Sequence, residues 1–219
     1  MFKQLRIRAH LRTGIISDQF LPLDAVLYFH AVRYMNGEQI LTKPNESNIR
    51  EGQAIPLPLK KGGAKDDTWY YNISFAQWSA NLVENSSFKV KQGDWLRHSE
   101  FYNGKKKIGI KRGKHKPAHI KLYYRHATHI DWYCVGNPIH IAELLQHCTH
   151  LGKNSGDGWG EVKSWEICEW QEDWSIKDAS GKLMRAVPVM HPKKIKGILY
   201  GLRPSYWNPR HIKPCFLPN

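Results

Sequence analysis

The order of strand-type and helix-type patterns is the feature of this sequence that most restricts its fold. Residues 4–11 alternate between polar and apolar side chains, which predicts a half-buried strand. The polar positions of this strand form a cationic face that includes Arg6, Arg8 and His10. Residues 23–31 then place apolar side chains at helical spacing, and Gly37 is placed to end that helix. His30 shares the apolar stripe, so a packed core position is the favoured interpretation.

The second half of the chain continues this alternation. Residues 69–78, WYYNISFAQW, are aromatic and β-branched and predict a strand. A strand pair is predicted around the basic segment that follows, ending in residues 119–135. Residues 138–151 predict a helix, with Asn137 as a plausible N-cap, Pro138 at the first position and Gly152 at the end. Its apolar stripe consists of Ile141, Leu144, Leu145 and Cys148.

A further strand is predicted over residues 161–170. The full order is then β, α, β, β, α, β, which predicts an α+β fold with a ferredoxin-like (RRM-like) core and an insertion between its halves. Residues 52–68 are predicted to form a loop because Pro56, Pro58 and the Gly62–Gly63 pair interrupt regular structure. We predict a single domain over residues 1–219, with a Pro- and Lys-rich extension over residues 182–219.

Composition points to a polyanionic partner. The chain carries 33 Lys and Arg residues against 19 Asp and Glu residues, a formal net charge of +14. Such a surplus attracts nucleic acids and releases their counterions, although solubility alone is the alternative explanation. The four cysteines show no CxxC spacing, so we expect reduced thiols, with no metal and no cofactor. We find no secretion signal and no membrane span, and we expect a cytoplasmic protein.

The densest positive charge lies between residues 103 and 125. This segment holds nine cations and no acidic residue, and glycines and a proline interrupt it, so it is not one amphipathic helix. We interpret it as a cationic, thumb-like insertion that binds RNA phosphates, with histidines that donate to phosphate or stack on bases. A solvated charge run is the alternative. The predicted RNA-binding residues here are Lys105, Lys106, Lys107, Lys111, Arg112, Lys114, His115, Lys116 and Arg125.

A Gly-rich loop, residues 151–162, connects the second helix to the last strand. Four glycines crowd this loop, whereas a simple helix cap needs only one. It is neither a P-loop nor a dinucleotide-binding fingerprint, because in those motifs the loop enters a helix rather than leaving one. What remains is a loop whose uncovered backbone amides, beside a lysine and an indole, can lie against an RNA backbone or another protein chain. The predicted RNA-binding residues here are Gly152, Lys153, Asn154, Gly156, Gly158, Trp159 and Gly160.

Other chemistry is less favoured by the residues. A ribonuclease that leaves a cyclic phosphate needs a general base and a cation, and His30, His115, His119 or His126 could serve beside a lysine. No arranged set of such groups is evident, so we predict no catalytic residues. The histidine pairs three residues apart lack a third metal ligand. Aromatic residues flank the basic elements, and we expect most to be core and one or two to face outward.

The chain resembles the RAMP superfamily of CRISPR-associated proteins. The run HLGKNSGDGWGEVKSW, residues 150–165, is similar to the Gly-rich loop after the second helix of that superfamily's ferredoxin-like core. Four further segments are similar to one branch, the type IV subunit equivalent to the fifth Cas family. They are LPLDAVLYFHAVRY (21–34), IPLPL (55–59), HIDWYCVGN (129–137) and RPSYW (203–207).

The resemblance implies a function. In that family the subunit caps the 5′ end of the CRISPR RNA (crRNA), holds its repeat-derived handle and is normally not the nuclease. It implies a prokaryotic antiviral or anti-plasmid defence complex, whose partners are crRNA, the backbone and large subunits, and target DNA near its recognition motif. A RAMP endoribonuclease that processes the CRISPR precursor is the alternative, and a general RRM-type module is a weaker one. Asp157 departs from the basic or neutral residue expected in the loop.

Overall fold

The computed structural model describes residues 1–35, 55–63, 67–91, 117–189 and 197–218. These residues form two α-helices, α1 (Leu23–Met35) and α2 (Pro138–Leu145), and a larger number of strands. The mixture of helices and strands agrees with the sequence prediction. The strands are β1 (Lys3–Leu11), β2 (Lys61–Gly62), β3 (Tyr70–Tyr71), β4 (Gln77–Trp78), β5 (Val83–Lys91), β6 (Ala118–His126), β7 (His129–Gly136), β8 (Val162–Glu169), β9 (Val187–Pro188), β10 (Ile198–Gly201) and β11 (Ile212–Phe216).

A four-stranded antiparallel sheet organises the core, in the order β4-β7-β1-β8. The predicted alternation of β1 is confirmed, because its apolar positions from Leu5 to Ala9 are buried and register with Cys134, Trp132 and Ile130 of β7. Leu23 and Leu27 of α1 and Ile141 and Leu145 of α2 belong to the same buried cluster. Both helices therefore cover one face of the sheet and leave the polar side chains of β1 on the other.

Helix α2 begins as predicted and ends earlier than predicted. The Asn137 side chain accepts a hydrogen bond from the Ile139 amide at 3.1 Å, and Pro138 occupies the first turn. The helix stops at Leu145 rather than continuing to residue 151, and the Cys148 amide donates to Leu145 O at 2.9 Å in a tighter turn. Val162 N donates to Thr149 O at 2.8 Å, and Trp165 Nε1 donates to Cys148 O at 3.0 Å.

The strand predicted over residues 69–78 is only partly formed. Regular pairing is limited to β3 and β4, with isolated bridges at Ile73 and Phe75 between them. The side chain of Arg185, which is fully buried, donates to the carbonyl oxygens of Tyr71 and Ile73. Part of the hydrogen bonding of this segment is therefore made by a distant arginine, which a local pattern cannot reveal.

The predicted loop over residues 52–68 contributes to the core within its described part. Ile55, Leu57 and Leu59 are buried, and the prolines between them are not. The RPSYW segment is structural as well. Tyr206 donates to the buried carboxylate of Asp24 at 2.7 Å, which ties the start of α1 to the C-terminal residues. Burial raises the pKa of Asp24, while Arg185 opposes that rise.

The strand pair predicted around the basic segment is present as an antiparallel ribbon of β5 and β6. The register runs from Val83 opposite His126 to Lys91 opposite Ala118. Residues 92–117 connect the two strands in the sequence, so the basic segment follows from the far end of the β5–β6 ribbon. Residues 92–116, which include most of the basic segment, lie outside the described part of the chain.

Candidate nucleic-acid interface

The cations of strand β1 are neutralised by the neighbouring strands. Arg8 donates two hydrogen bonds to Asp131 of β7, both at 2.7 Å. Arg6 pairs with Glu166 of β8, and Lys3 pairs with Glu169. The face opposite the helices thus carries paired cations at Arg6 and Arg8, with Arg6 stacked over the Trp170 ring, rather than the free cationic surface that the sequence suggested.

The aromatic residues highlighted by the sequence are also mostly internal. Tyr70, Tyr71, Trp132 and Tyr133 are buried, and Trp69 and Trp78 are partly buried. The large aromatic side chains that are exposed among the described residues lie elsewhere. They include Phe29 on α1, Phe88 and Tyr123 on the β5–β6 ribbon, and Trp207 near the C-terminal end.

The Gly-rich loop is docked on the segment that follows β1. Lys153 N donates to Ile16 O at 2.7 Å, and Gly160 N donates to Gly14 O at 2.8 Å. Ile15 also exchanges two backbone hydrogen bonds of 2.9 Å with Arg125 of β6. Residues 12–18 therefore hold the Gly-rich loop on one side and the root of the β5–β6 ribbon on the other.

The four glycines of the loop divide into two pairs. A Cβ added at Gly152 would lie 2.4 Å from Ile16 O, and one at Gly160 would lie 1.9 Å from Leu151 O. Both glycines have positive φ and are required by the local packing. A Cβ at Gly156 or Gly158 would meet no atom within 4 Å. These two positions face open space and are the ones that allow a ligand to approach the backbone.

The side chains of the loop are held by their neighbours. Lys153 pairs with Asp18 at 2.9 Å, and Asp157, the unexpected acid, pairs with Lys89 of β5. The Trp159 ring lies 4.6 Å from the Tyr124 ring, centroid to centroid, and is half-buried. Trp159 is thus an anchor between the loop and the ribbon. Asn154, at the start of a short 3-10 turn, adopts a left-handed conformation with φ of 61°.

Arg125, the last residue of the predicted basic cluster, lies at the root of the ribbon. It pairs with Glu84 at 2.8 Å and stacks over the Trp78 ring. Lys121 lies over the Tyr123 ring, 5.0 Å from its centroid. The other predicted residues of the cluster lie outside the described residues and remain predictions. They are Lys105, Lys106, Lys107, Lys111, Arg112, Lys114, His115 and Lys116.

A cleft between α1 and the Gly-rich loop was not foreseen from the sequence. We call it the α1 cleft; its walls include Phe20, Phe29, His30, Arg33, His147 and Lys153, and its volume is about 510 Å³. Phe29 packs edge-on against His30, and the Arg33 guanidinium lies 5.3 Å from the Phe29 ring centroid. The sequence signal that could have indicated this cleft was a phenylalanine and an arginine four residues apart on the outer side of a predicted helix.

His30 is half-buried in the wall of this cleft rather than packed in the core. Burial lowers the pKa of its imidazole, and the positive charge of Arg33 and the neighbouring His147 lower it further. At neutral pH the imidazole is therefore uncharged. Its two nitrogens can then offer one donor and one acceptor to a ligand in the cleft.

Two other kinds of feature are absent from the same ranges. The described residues contain no group of three or more His, Cys, Asp or Glu side chains that could hold a metal ion. None of their helices is long and apolar enough to cross a membrane. The four cysteines are free thiols.

Comparison with known proteins identifies a family. A family model described as CRISPR type IV associated protein Csf3 matches residues 3–218. Among solved structures, one chain of a Type III-B Cmr-beta complex bound to cognate target RNA is similar at 12% identity and a TM-score of 0.40. The match covers 77% of the present chain and 61% of that chain, so it spans about three fifths of that structure's length. No curated protein matches.

Proposed function

The chain belongs to the Csf3 family of CRISPR type IV associated proteins, and we propose that it is the subunit that binds and caps the 5′ handle of the crRNA. In this role it is not a nuclease. Its partners are the crRNA, the backbone and large subunits of the effector complex, and target DNA near its recognition motif. It acts in the cytoplasm of a prokaryotic cell, in defence against viruses or plasmids.

The proposed framework is a ferredoxin-like core. Taking β1, α1, β4, β7, α2 and β8 in order gives the βαββαβ sequence of elements. The antiparallel order β4-β7-β1-β8 supports this assignment, with β1 in the interior of the sheet. The β5–β6 ribbon is then the insertion between the two halves, and the Gly-rich loop follows the second helix.

The observation that carries the proposal is the open pair of glycines next to the ribbon. Gly156 and Gly158 leave the loop backbone accessible, while Gly152 and Gly160 fix its shape. Trp159 holds the loop against β6, whose ribbon leads into the run of lysines at residues 105–116. An RNA strand that crosses the loop would therefore meet open backbone at Gly156 and could continue along the ribbon towards those lysines.

A second candidate function has one observation in its favour. His30 and His147 line the same cleft as Lys153 and Arg33, and a metal-independent endoribonuclease requires such a combination of imidazole and cation. We favour the binding function because the family resemblance implies a handle-binding subunit.

Incubating the purified chain with labelled repeat RNA in a chelator separates the two functions. Specific cleavage that disappears in His30→Ala would establish the enzyme.

The binding function is tested by purification from cells. A tagged chain is expressed with the other complex subunits and a CRISPR array, and the bound RNA is sequenced from its 5′ end. We expect RNA with one defined 5′ end that begins with repeat-derived sequence. Recovery of no RNA, or of RNA with scattered 5′ ends, would contradict the proposal.

A further inference from the structure

We propose that the α1 cleft holds one unpaired nucleotide of the bound RNA, with its base against Phe29 and its phosphate near Arg33 and Lys153. This inference rests on the proposed RNA-binding function and adds a defined nucleotide site to it. The cleft volume of about 510 Å³ lies within the roughly 300–1,000 Å³ of small-ligand pockets.

The base is assigned to Phe29 because of that ring's exposure and neighbours. Phe29 is 53% exposed, although it is a large apolar side chain on a helix whose other face is packed in the core. His30 meets the ring edge-on and Arg33 lies beside it, so the ring is held in place. An exposed, oriented aromatic next to a cation is the arrangement on which single-stranded bases stack.

The phosphate is assigned from the charges that line the cleft. Arg33 forms no ion pair with any residue in the described ranges, so its guanidinium is available for a bidentate contact. Among the described residues Lys153 pairs with Asp18 alone, and both side chains are largely exposed. Such a surface pair is weak, so a phosphate can replace the carboxylate. Asp18 is the one carboxylate among the described lining residues.

A second depression gives the RNA strand a route out of the cleft. It is lined by Ile15, Ser17, Glu84, Tyr123, Tyr124 and Arg125 at the root of the ribbon, with a volume of about 470 Å³. Ser17 lines both depressions, and its hydroxyl oxygen has no hydrogen-bond partner within the described part of the chain. The nucleotide in the α1 cleft would therefore be continuous with a strand that runs past Ser17 towards the β5–β6 ribbon.

Affinity measurements with matched aromatic variants test the site. The probe is a fluorescein-labelled single-stranded RNA of about ten nucleotides with the repeat-derived handle sequence, titrated with the full chain. Phe29→Ala should weaken binding at least about fivefold, the lower limit for losing one stacked base. Phe29→Tyr should restore it. Trp207→Ala is the control, because Trp207 is 55% exposed but lies outside the cleft, and it should bind as the wild type does.

Crosslinking locates the contact independently of affinity. The same RNA carries 5-iodouridine at successive positions and is irradiated with the wild-type chain, and the crosslinked peptide is identified by mass spectrometry. One position should crosslink to the α1 peptide, and Arg33→Glu should abolish that product. If the wild type binds RNA but crosslinks only to ribbon or loop peptides, with Phe29→Ala at full affinity, the cleft assignment is wrong and the binding function stands. If the wild type binds no RNA, both proposals fail.

Discussion

The cations of strand β1 and the cations around the α1 cleft carry the same charge but have different partners. On β1, Lys3, Arg6 and Arg8 each face a carboxylate from an adjacent strand. At the cleft, Arg33 lies over the Phe29 ring and has no acidic partner in the described ranges, and Lys153 pairs with Asp18, whose side chain is largely exposed. The difference indicates that the first group stabilises the sheet, and it favours the second group as part of the RNA contact that we propose.

This comparison shows why net charge alone does not locate a binding surface. The formal charge of +14 counts the β1 cations and the cleft cations equally. Cross-strand register decides which of them are used internally, because directly opposite partners such as Arg8 and Asp131, and diagonal partners such as Arg6 and Glu166, lie within reach of each other. The open sheet face carries the paired cations Arg6 and Arg8 together with an aromatic cluster of Tyr133, Trp170 and Trp174, so the RRM-type use of that face for RNA is the alternative that the experiments below test.

The largest expected effect concerns the two pairs of glycines in the loop. Gly160→Ala places a Cβ against Leu151 O at a residue with positive φ, so we expect a loss of at least about 2 kcal/mol in the free energy of unfolding. Gly156→Ala should leave stability within about 0.5 kcal/mol and reduce RNA retention. Chemical denaturation and RNA pull-down measure the two outcomes.

Gly158→Val, at φ of 86°, should lower the free energy of unfolding by about 1–2 kcal/mol through backbone strain and also reduce RNA retention.

The next largest effect tests whether the β1 cations stabilise the sheet rather than bind RNA. Arg8→Ala leaves the carboxylate of Asp131 without its bidentate partner in a site where both side chains are mostly buried. We expect a loss of about 1–3 kcal/mol in unfolding free energy and RNA affinity within about twofold of the wild type. The double variant Arg8→Leu with Asp131→Leu is the control and should recover much of the stability. A large loss of RNA affinity in a folded Arg8→Ala protein would place RNA on the open face.

Much of the fold could be predicted because its patterns are local. The alternation in β1, the Asn137–Pro138 start of α2 and the ribbon strands are each encoded within about ten residues. The departures have distant causes. Arg185 completes the hydrogen bonding of residues 71–73 from more than a hundred positions away, and Asp24 is buried because Tyr206 reaches it.

The candidate site was predictable in part for the same reason. The Gly-rich loop was identified from its composition, but only tertiary contacts separate the packed Gly152 and Gly160 from the open Gly156 and Gly158. The α1 cleft was missed because its walls come from α1 and from residues after α2. His30 lies on the apolar stripe in sequence, so its position at the rim of that stripe was not apparent.

A smaller effect measures how much the basic segment contributes to RNA binding. Neutralising Lys105, Lys106 and Lys107 together should flatten the dependence of log K on log salt by up to about two units, at roughly 0.7 per phosphate contact on a single strand. Replacing Lys3, which is paired with Glu169, is the control and should leave the slope unchanged. An unchanged slope in the triple variant would mean that these lysines face solvent in the complex.

The smallest expected effect is a pH dependence of RNA binding. Because burial, Arg33 and His147 lower the pKa of His30 in the free protein, its imidazole is neutral at about pH 7. A nearby phosphate favours the imidazolium, so the pKa of His30 is higher in the RNA complex than in the free protein. RNA affinity therefore rises as the pH falls through the interval between these two pKa values. The other ionisable groups that line the cleft are Asp18, Arg33, His147, His150 and Lys153.

We expect affinity to increase about two- to threefold between about pH 7.5 and about pH 5.5, measured by fluorescence anisotropy. His30→Gln should flatten this dependence. His211→Gln is the matched control, because His211 also has a pKa lowered by burial but lies beside Ser205, outside the cleft. An equal flattening by both substitutions would show that His30 has no special part in the pH dependence.

The central claim is that RNA lies on the loop, ribbon and α1 side and not on the open face of the sheet. Hydroxyl-radical footprinting of the chain with and without its RNA tests this directly, since each side carries aromatic reporters. We predict protection of Phe29 on α1 and Tyr123 on the ribbon. Trp170 and Trp174, which cluster with Tyr133, should be oxidised equally in both states. Protection of Trp170 and Trp174 with no change at Phe29 and Tyr123 would contradict the account.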